Sequence, residues 1–172
     1  ERFVPRYADK ITYVSEFLGD AISDLKANVS SYKIPNGSDT ERINVLDKKQ
    51  ARRDLKLVQT DHYLVSVGNT YTSSLKIMLQ AFEWAKENGP KLKLIMVGEG
   101  EITLDCVPIF EKLKKNIILT GKVPFSEIQR YLACADCLLL PMDNNNIEKA
   151  RFPMRFGDYL CAQRPIVSNA VG

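Results

Sequence analysis

Apolar positions along this chain switch repeatedly between short aliphatic or β-branched runs and stripes spaced three and four apart. Ile11-Thr12-Tyr13-Val14 is the first such run. Ser15, a capping residue, follows it, and Phe17, Leu18, Ile22 and Leu25 then predict a helix over 16–27. Tyr32-Lys33-Ile34 predicts a second strand, closed by Pro35-Asn36-Gly37, whose asparagine and glycine accept the positive φ of a tight turn. Asp47 opens a basic helix over 48–55, whose four cations read as a solvated face rather than a contact for lipid or nucleic acid.

From residue 63 the alternation becomes regular. Strand-like runs at 63–67, 92–97, 116–119, 137–140 and from 166 are separated by helix-length segments. The first helix, over 74–88, carries Leu75, Met78, Leu79, Phe82 and Trp84. The second is spaced through Val107, Phe110 and Leu113, and the third runs from Pro124 to Ala133. The fourth starts at Pro153, where proline suits a first turn, and stops before Pro165. Repeats of this kind predict an α/β fold, a Rossmann-like parallel sheet with helices on both faces joined by right-handed crossovers.

Glycine follows three of these strands, at Gly68, Gly98 and Gly121. Ligands of doubly wound sheets bind at the carboxyl edge, where glycine lets a phosphate or ring approach the backbone. The helix from Pro153 adds charge to that edge. Phe156, Tyr159 and Leu160 form its predicted apolar stripe, and Arg155 and Asp158 lie three apart. A cation in a first helical turn, beside unpaired N–H groups, suits a phosphate, and a carboxylate one turn on suits a sugar hydroxyl. The competing reading is a surface Arg/Asp pair.

Composition narrows the options only mildly. With 45% hydrophobic and 26% charged residues the chain is ordinary for a globular protein, and a net charge of +3 permits anionic ligands without requiring nucleic acid. No apolar run approaches the roughly 20 residues that span a bilayer. The cysteines, at 106, 134, 137 and 161, lack metal-site geometry: Cys134 ends a predicted helix, Cys137 starts a strand, and His62 is the only histidine. Reduced thiols are expected, as in a cytosolic protein. A chain opening on Glu1 and stopping just past a predicted strand reads as an excised piece.

Taken in order, the landmarks resemble the donor-binding, carboxyl-terminal domain of a GT-B glycosyltransferase, in the family 4 type of retaining enzymes, the group 1 glycosyl transferases. The resemblance rests on Ala8-Asp9-Lys10-Ile11 with Val14-Ser15, Ile34-Pro35-Asn36-Gly37-Ser38-Asp39, Val67-Gly68-Asn69, Ala81-Phe82 and Leu94-Ile95-Met96-Val97-Gly98-Glu99-Gly100. It continues through Leu119-Thr120-Gly121-Lys122-Val123, Tyr131-Leu132-Ala133-Cys134-Ala135-Asp136, Leu140-Pro141 and Pro153-Met154-Arg155-Phe156-Gly157-Asp158-Tyr159-Leu160 with Pro165-Ile166-Val167.

This resemblance implies a nucleotide-sugar donor and transfer of a hexosyl-type sugar to an acceptor hydroxyl with retention. It implies residues 1–34 as the last strand and helix of an amino-terminal domain plus linker, and 35–172 as an incomplete donor-binding domain. Arg155, Gly68, Asn69, Ser73 and Lys76 are then expected at the diphosphate, and Gly98, Gly100, Lys122, Val123 and Asp158 at the nucleoside. Asn145, Asn146, Arg151 and Phe152, in the loop before the helix, are expected near the donor sugar. No metal or resident cofactor is expected, since the nucleotide-sugar is a substrate. A glycan, lipid or small-molecule acceptor would bind the missing domain. The setting implied is cytoplasmic, with room for peripheral contact at the inner membrane face during polysaccharide or cell-envelope synthesis. The chain alone is expected to bind a nucleotide at best weakly and to transfer no sugar.

Two departures stand out. Relatives place a lysine where Ser73 stands, and Lys76 comes three residues late. Of two glutamates eight apart, Asp158 stands for the second, while the first position is Ala150 and Glu148 lies two residues earlier. Relatives with a Pro-x-Lys-x-x-Glu-Tyr form show similar changes, so the departures read as a subfamily; the alternative they leave open is a non-catalytic, degenerate module serving as a partner in polysaccharide or glycolipid assembly. A dinucleotide oxidoreductase fits poorly, because Gly98-Glu99-Gly100 follows a middle strand and position 103 is threonine.

Overall fold

The computed structural model describes residues 7–25, 29–41, 43–68, 72–89 and 91–171, with backbone alone at 72 and 73. A small unit comes first: β1 (Lys10–Tyr13), α1 (Glu16–Asp24) and β2 (Ser30–Lys33), the strands paired in parallel. Ser15 caps α1, its side chain accepting from Leu18 N–H. Strand β2 begins earlier than the expected 32–34. Ile34 lies past its end and donates its N–H to Tyr13 O at 2.8 Å.

The rest forms the expected parallel sheet. Its strands are β3 (His62–Val67), β4 (Leu92–Val97), β5 (Ile117–Leu119), β6 (Cys137–Leu140) and β7 (Ile166–Ser168), in the order β5-β4-β3-β6-β7. Side chains alternate between two cores, as a sheet covered on both faces requires. Tyr63, Val65 and Val67 meet Ala51 of α2 (Lys48–Asp54), Leu132 and Ala133 of α5 (Phe125–Cys134), and Tyr159 of α7 (Met154–Cys161). On the other face Leu94 and Met96 meet α3 (Thr72–Asn88) and α4 (Val107–Leu113).

The tight turn expected at 35–37 is absent: residues 34–39 form no turn, and neither Asn36 nor Gly37 has a positive φ. Four further expectations need correction. A five-residue helix, α6 (Asn146–Ala150), occupies what reads as an asparagine-rich loop; Asn145 caps it, accepting Glu148 N–H at 2.9 Å. Trp84 is 69% exposed and lies outside the buried stripe of α3. It comes two residues after Phe82, about 200° further round the axis. Leu160 of α7 is likewise exposed, and the docking face is Phe156, Gly157 and Tyr159.

The fourth concerns α2, which is not a uniformly solvated basic face. Arg52 is 5% exposed. Its guanidinium donates to the carbonyls of Cys134 (3.0 Å), Gln59 (2.9 Å) and Asp61 (3.2 Å) and to Asp136 Oδ2 (2.6 Å), over the Tyr63 ring. Asp136 also accepts from Lys48 Nζ at 2.8 Å and Tyr63 N–H at 2.7 Å. Burial pushes its carboxyl up, but these donors and the Arg52 charge outweigh burial and hold it below the usual carboxylate range. The cluster ties α2 to the amino ends of β3 and β6, at the opposite end of the sheet from the glycine-bearing edge.

Candidate functional site

The order β5-β4-β3-β6-β7 reverses direction between β3 and β6, and open α/β sheets form their ligand crevice at such a point. The two strands pair only at Leu64↔Cys137 and Val65↔Leu138. Beyond that the Tyr159 hydroxyl stands between them, accepting Val67 N–H at 2.8 Å and donating to Leu139 O at 3.3 Å. Burial raises the Tyr159 pKa above its ordinary value, so the phenol keeps the proton it donates.

One turn earlier on α7, Arg155 Nη1 donates to Val67 O at 3.1 Å. The guanidinium is half-buried, and it lies 3.8 Å from where a Cβ on Gly68 would stand. Among the described residues it has no carboxylate partner. A guanidinium carries five N–H donors, so most remain available to an anion in the crevice.

Beside it the three strand-ending glycines meet. Gly68, Gly98 and Gly121 have φ of 103°, 126° and 65°, a region that favours glycine. Gly68 N–H donates to Val97 O at 2.8 Å, and Gly98 N–H to Gly121 O at 3.1 Å. A Cβ on Gly98 would lie 3.1 Å from Gly68 C and O. Together with Gly100, Glu99 and Leu119 they line a cavity of about 240 Å³. Bare backbone at this edge leaves room for a planar ring or a phosphate.

The sequence-expected residues divide between this crevice and other places. Gly68, Gly98 and Gly100 line the cavity; Arg155 lies beside it against Gly68 and is not among the lining residues. Lys122 is exposed, and Val123 packs against the sheet's core; neither lines the cavity, whereas Gly121 does. Asp158 is half-buried one turn after Arg155, outside the cavity lining. Lys76 is exposed, its Nζ 3.9 Å from Asp105 Oδ2. Asn69 and the side chain of Ser73 lie outside the described residues.

The loop before α7 faces a second cavity, of about 520 Å³, between the β1-α1-β2 unit and α7. Arg151 and Phe152 line it with Ser15, Lys33, Met142 and Phe156. Phe152 stacks edge-on against Phe156, centroids 5.9 Å apart, and its carbonyl accepts Asn36 Nδ2 at 3.4 Å. Asn145 is engaged as the α6 cap, and Asn146 is exposed.

Sequence reasoning overlooked two side chains here, Tyr159 and Asp143, and saw Glu148 only as an acid two residues from the expected position. Tyr159 reads as one more apolar position; the signal was a hydroxyl where Phe or Leu would pack equally well. Asp143 and Glu148 are both buried, and Glu148 Oε2 lies 2.5 Å from Arg151 Nη2. Burial, then the Glu148 charge, push the Asp143 carboxyl up against the opposing effect of Arg151.

A Rossmann-like sheet with a cation and a glycine cavity at its switch point is a doubly wound α/β domain with an open crevice there. Residues 61–172 match the glycosyl transferases group 1 family, and the chain belongs to it. No curated relative matches by sequence. Among solved structures, sucrose-phosphate synthase from Thermosynechococcus elongatus superposes with a TM-score of 0.76 at 15% identity, over 99% of this chain and 43% of that one. HepE from Anabaena, in complex with UDP, gives 0.73 at 16% over 98% and 47%. A glycosyltransferase from Rickettsia africae gives 0.72 at 12% over 99% and 48%. The fold is that of a GT-B glycosyltransferase, and the chain spans less than half the length of each of these relatives. Among the described residues no helix is long and apolar enough to cross a membrane.

Proposed function

We propose that this chain carries the donor-binding part of a glycosyltransferase, seating the nucleoside diphosphate of a nucleotide-sugar at the β3/β6 crevice. One observation carries the reading: a half-buried guanidinium with no carboxylate partner among the described residues, fixed on Val67 O beside Gly68. Its remaining N–H donors are free of carboxylates among the described residues and suit an anion. Presence of UDP in the structural relative from Anabaena supports the same reading.

In this account the diphosphate lies against Arg155 and Gly68, and the nucleoside enters the cavity between Gly98, Gly100 and Gly121. Asp158 is assigned to the ribose, and the 142–152 segment to the donor sugar. As the bond from the anomeric carbon to the diphosphate breaks, negative charge grows on the leaving phosphate, where Arg155 stabilises it. The acceptor oxygen bonds to that carbon with retained configuration as its proton passes to the departing phosphate oxygen, and no divalent metal is required. Residues 35–172 form the donor part, and 1–34 belong with the acceptor-binding part of the whole protein.

A second reading, a non-catalytic partner in polysaccharide or glycolipid assembly, is favoured by position 150. There Ala150 offers only its carbonyl, taken by Ser15 Oγ at 2.8 Å, while the neighbouring acid Glu148 is buried against Arg151. Calorimetric titration with UDP, GDP and ADP, with and without EDTA, separates the two. The donor reading expects one nucleotide to bind and EDTA to change nothing. Absence of binding to all three would leave the partner reading.

A further inference from the structure

We propose that Tyr159 is a positioning residue for the anion site, its hydroxyl holding the end of β3 in the place from which Arg155 reaches the diphosphate. The inference deepens the donor reading and rests on it.

Continuing the β3–β6 ladder past Val65↔Leu138 would pair the strand ends directly and close the crevice. The Tyr159 oxygen takes that role, satisfying a donor on one strand and an acceptor on the other while keeping them apart. Few groups can do this: a buried phenol accepts and donates through one atom, and phenylalanine would leave both backbone groups orphaned. Arg155 and Tyr159 are four residues apart, on one face of α7. Both grip Val67, Tyr159 through its N–H and Arg155 through its C=O. Helix α7 is thereby registered on a single residue of β3, the one preceding Gly68. Tyr159 is 0% exposed, so it acts on a ligand only through Val67 and Arg155.

The test is a double-mutant cycle of Tyr159→Phe and Arg155→Ala, read by calorimetric titration with UDP, GDP and ADP and by thermal melting. In the wild-type background Tyr159→Phe is expected to weaken the nucleotide that binds by about tenfold, and in the Arg155→Ala background by less than about twofold. Melting should fall equally in both backgrounds. A loss of affinity that is the same in both, or absent from the first, would assign Tyr159 to packing alone and overturn the inference. If Tyr159→Phe does not fold, 3,5-difluorotyrosine at 159 keeps the ring while weakening the oxygen as an acceptor from Val67 N–H. Its affinity loss should again depend on Arg155. Wild-type protein that binds none of the three nucleotides overturns the donor reading and this inference with it. Binding lost with Arg155→Ala but untouched at 159 overturns only the inference.

Discussion

Gly157 lies so close to Ser38 that a Cβ at 157 would stand 1.8 Å from Ser38 Oγ and 2.9 Å from its Cβ. The segment after β2 therefore packs directly on α7, and a glycine that reads as a helix weakness is required by this contact. Gly157→Ala must push α7 or residue 38 aside, at about 1–3 kcal/mol of overpacking. Since α7 carries Arg155, nucleotide affinity should fall with stability. Adding Ser38→Gly should restore much of both, as measured by chemical denaturation and titration.

Gly98→Ala tests the crevice floor. At φ 126° a Cβ is strained and also meets Gly68 backbone at 3.1 Å. About 1–3 kcal/mol of destabilisation is expected, with loss of nucleotide binding. Gly37→Ala, where a Cβ meets nothing within 4 Å, is the matched control and should leave binding unchanged.

Removing Arg52 tests the opposite end of the sheet. Arg52→Met leaves Asp136 short of a buried partner, for a loss of about 3 kcal/mol. Nucleotide affinity should not change. Because the folded pKa of Asp136 lies below the ordinary carboxylate value of 3.8, its stabilisation is complete above that value and lost as pH falls through the folded pKa. The difference in unfolding free energy between wild type and Asp136→Asn should therefore be flat near neutral pH and shrink in acid.

Asp143 has the reverse sign. Its folded pKa is raised, so the ionised carboxylate is a burden above that pKa, relieved as protonation proceeds towards pH 3.8. Asp143→Asn should melt higher than wild type at neutral pH, and the gain should vanish as pH falls.

The strands and the glycine-bearing edge were legible because both are local: an apolar run marks each strand, and a glycine soon after it marks the ends of β3, β4 and β5. Strand β4 falls where its run predicts, and Arg155 was visible because Pro153 and Pro165 bracket its helix. Contacts across long sequence distances were not. Nothing in Lys48-Lys49-Gln50-Ala51-Arg52-Arg53 reveals that Asp136, 84 positions on, draws Arg52 inward. Hydrophobic spacing also sees the Tyr159 ring but not its hydroxyl, which decides how β3 and β6 separate. The split of Arg151 and Phe152, expected at the donor sugar, into a second cavity depends on how the β1-α1-β2 unit meets α7, again a long-range matter.

The central claim is that Arg155 holds a diphosphate beside Gly68. Calorimetric titration of wild type and Arg155→Ala with UDP, GDP and ADP tests it most directly. The account predicts that wild type binds one of them and that Arg155→Ala, still folded by circular dichroism, weakens that binding by at least about 30-fold, or about 2 kcal/mol, as expected for a charge-assisted hydrogen-bonded contact. Equal affinity in the two proteins would contradict it.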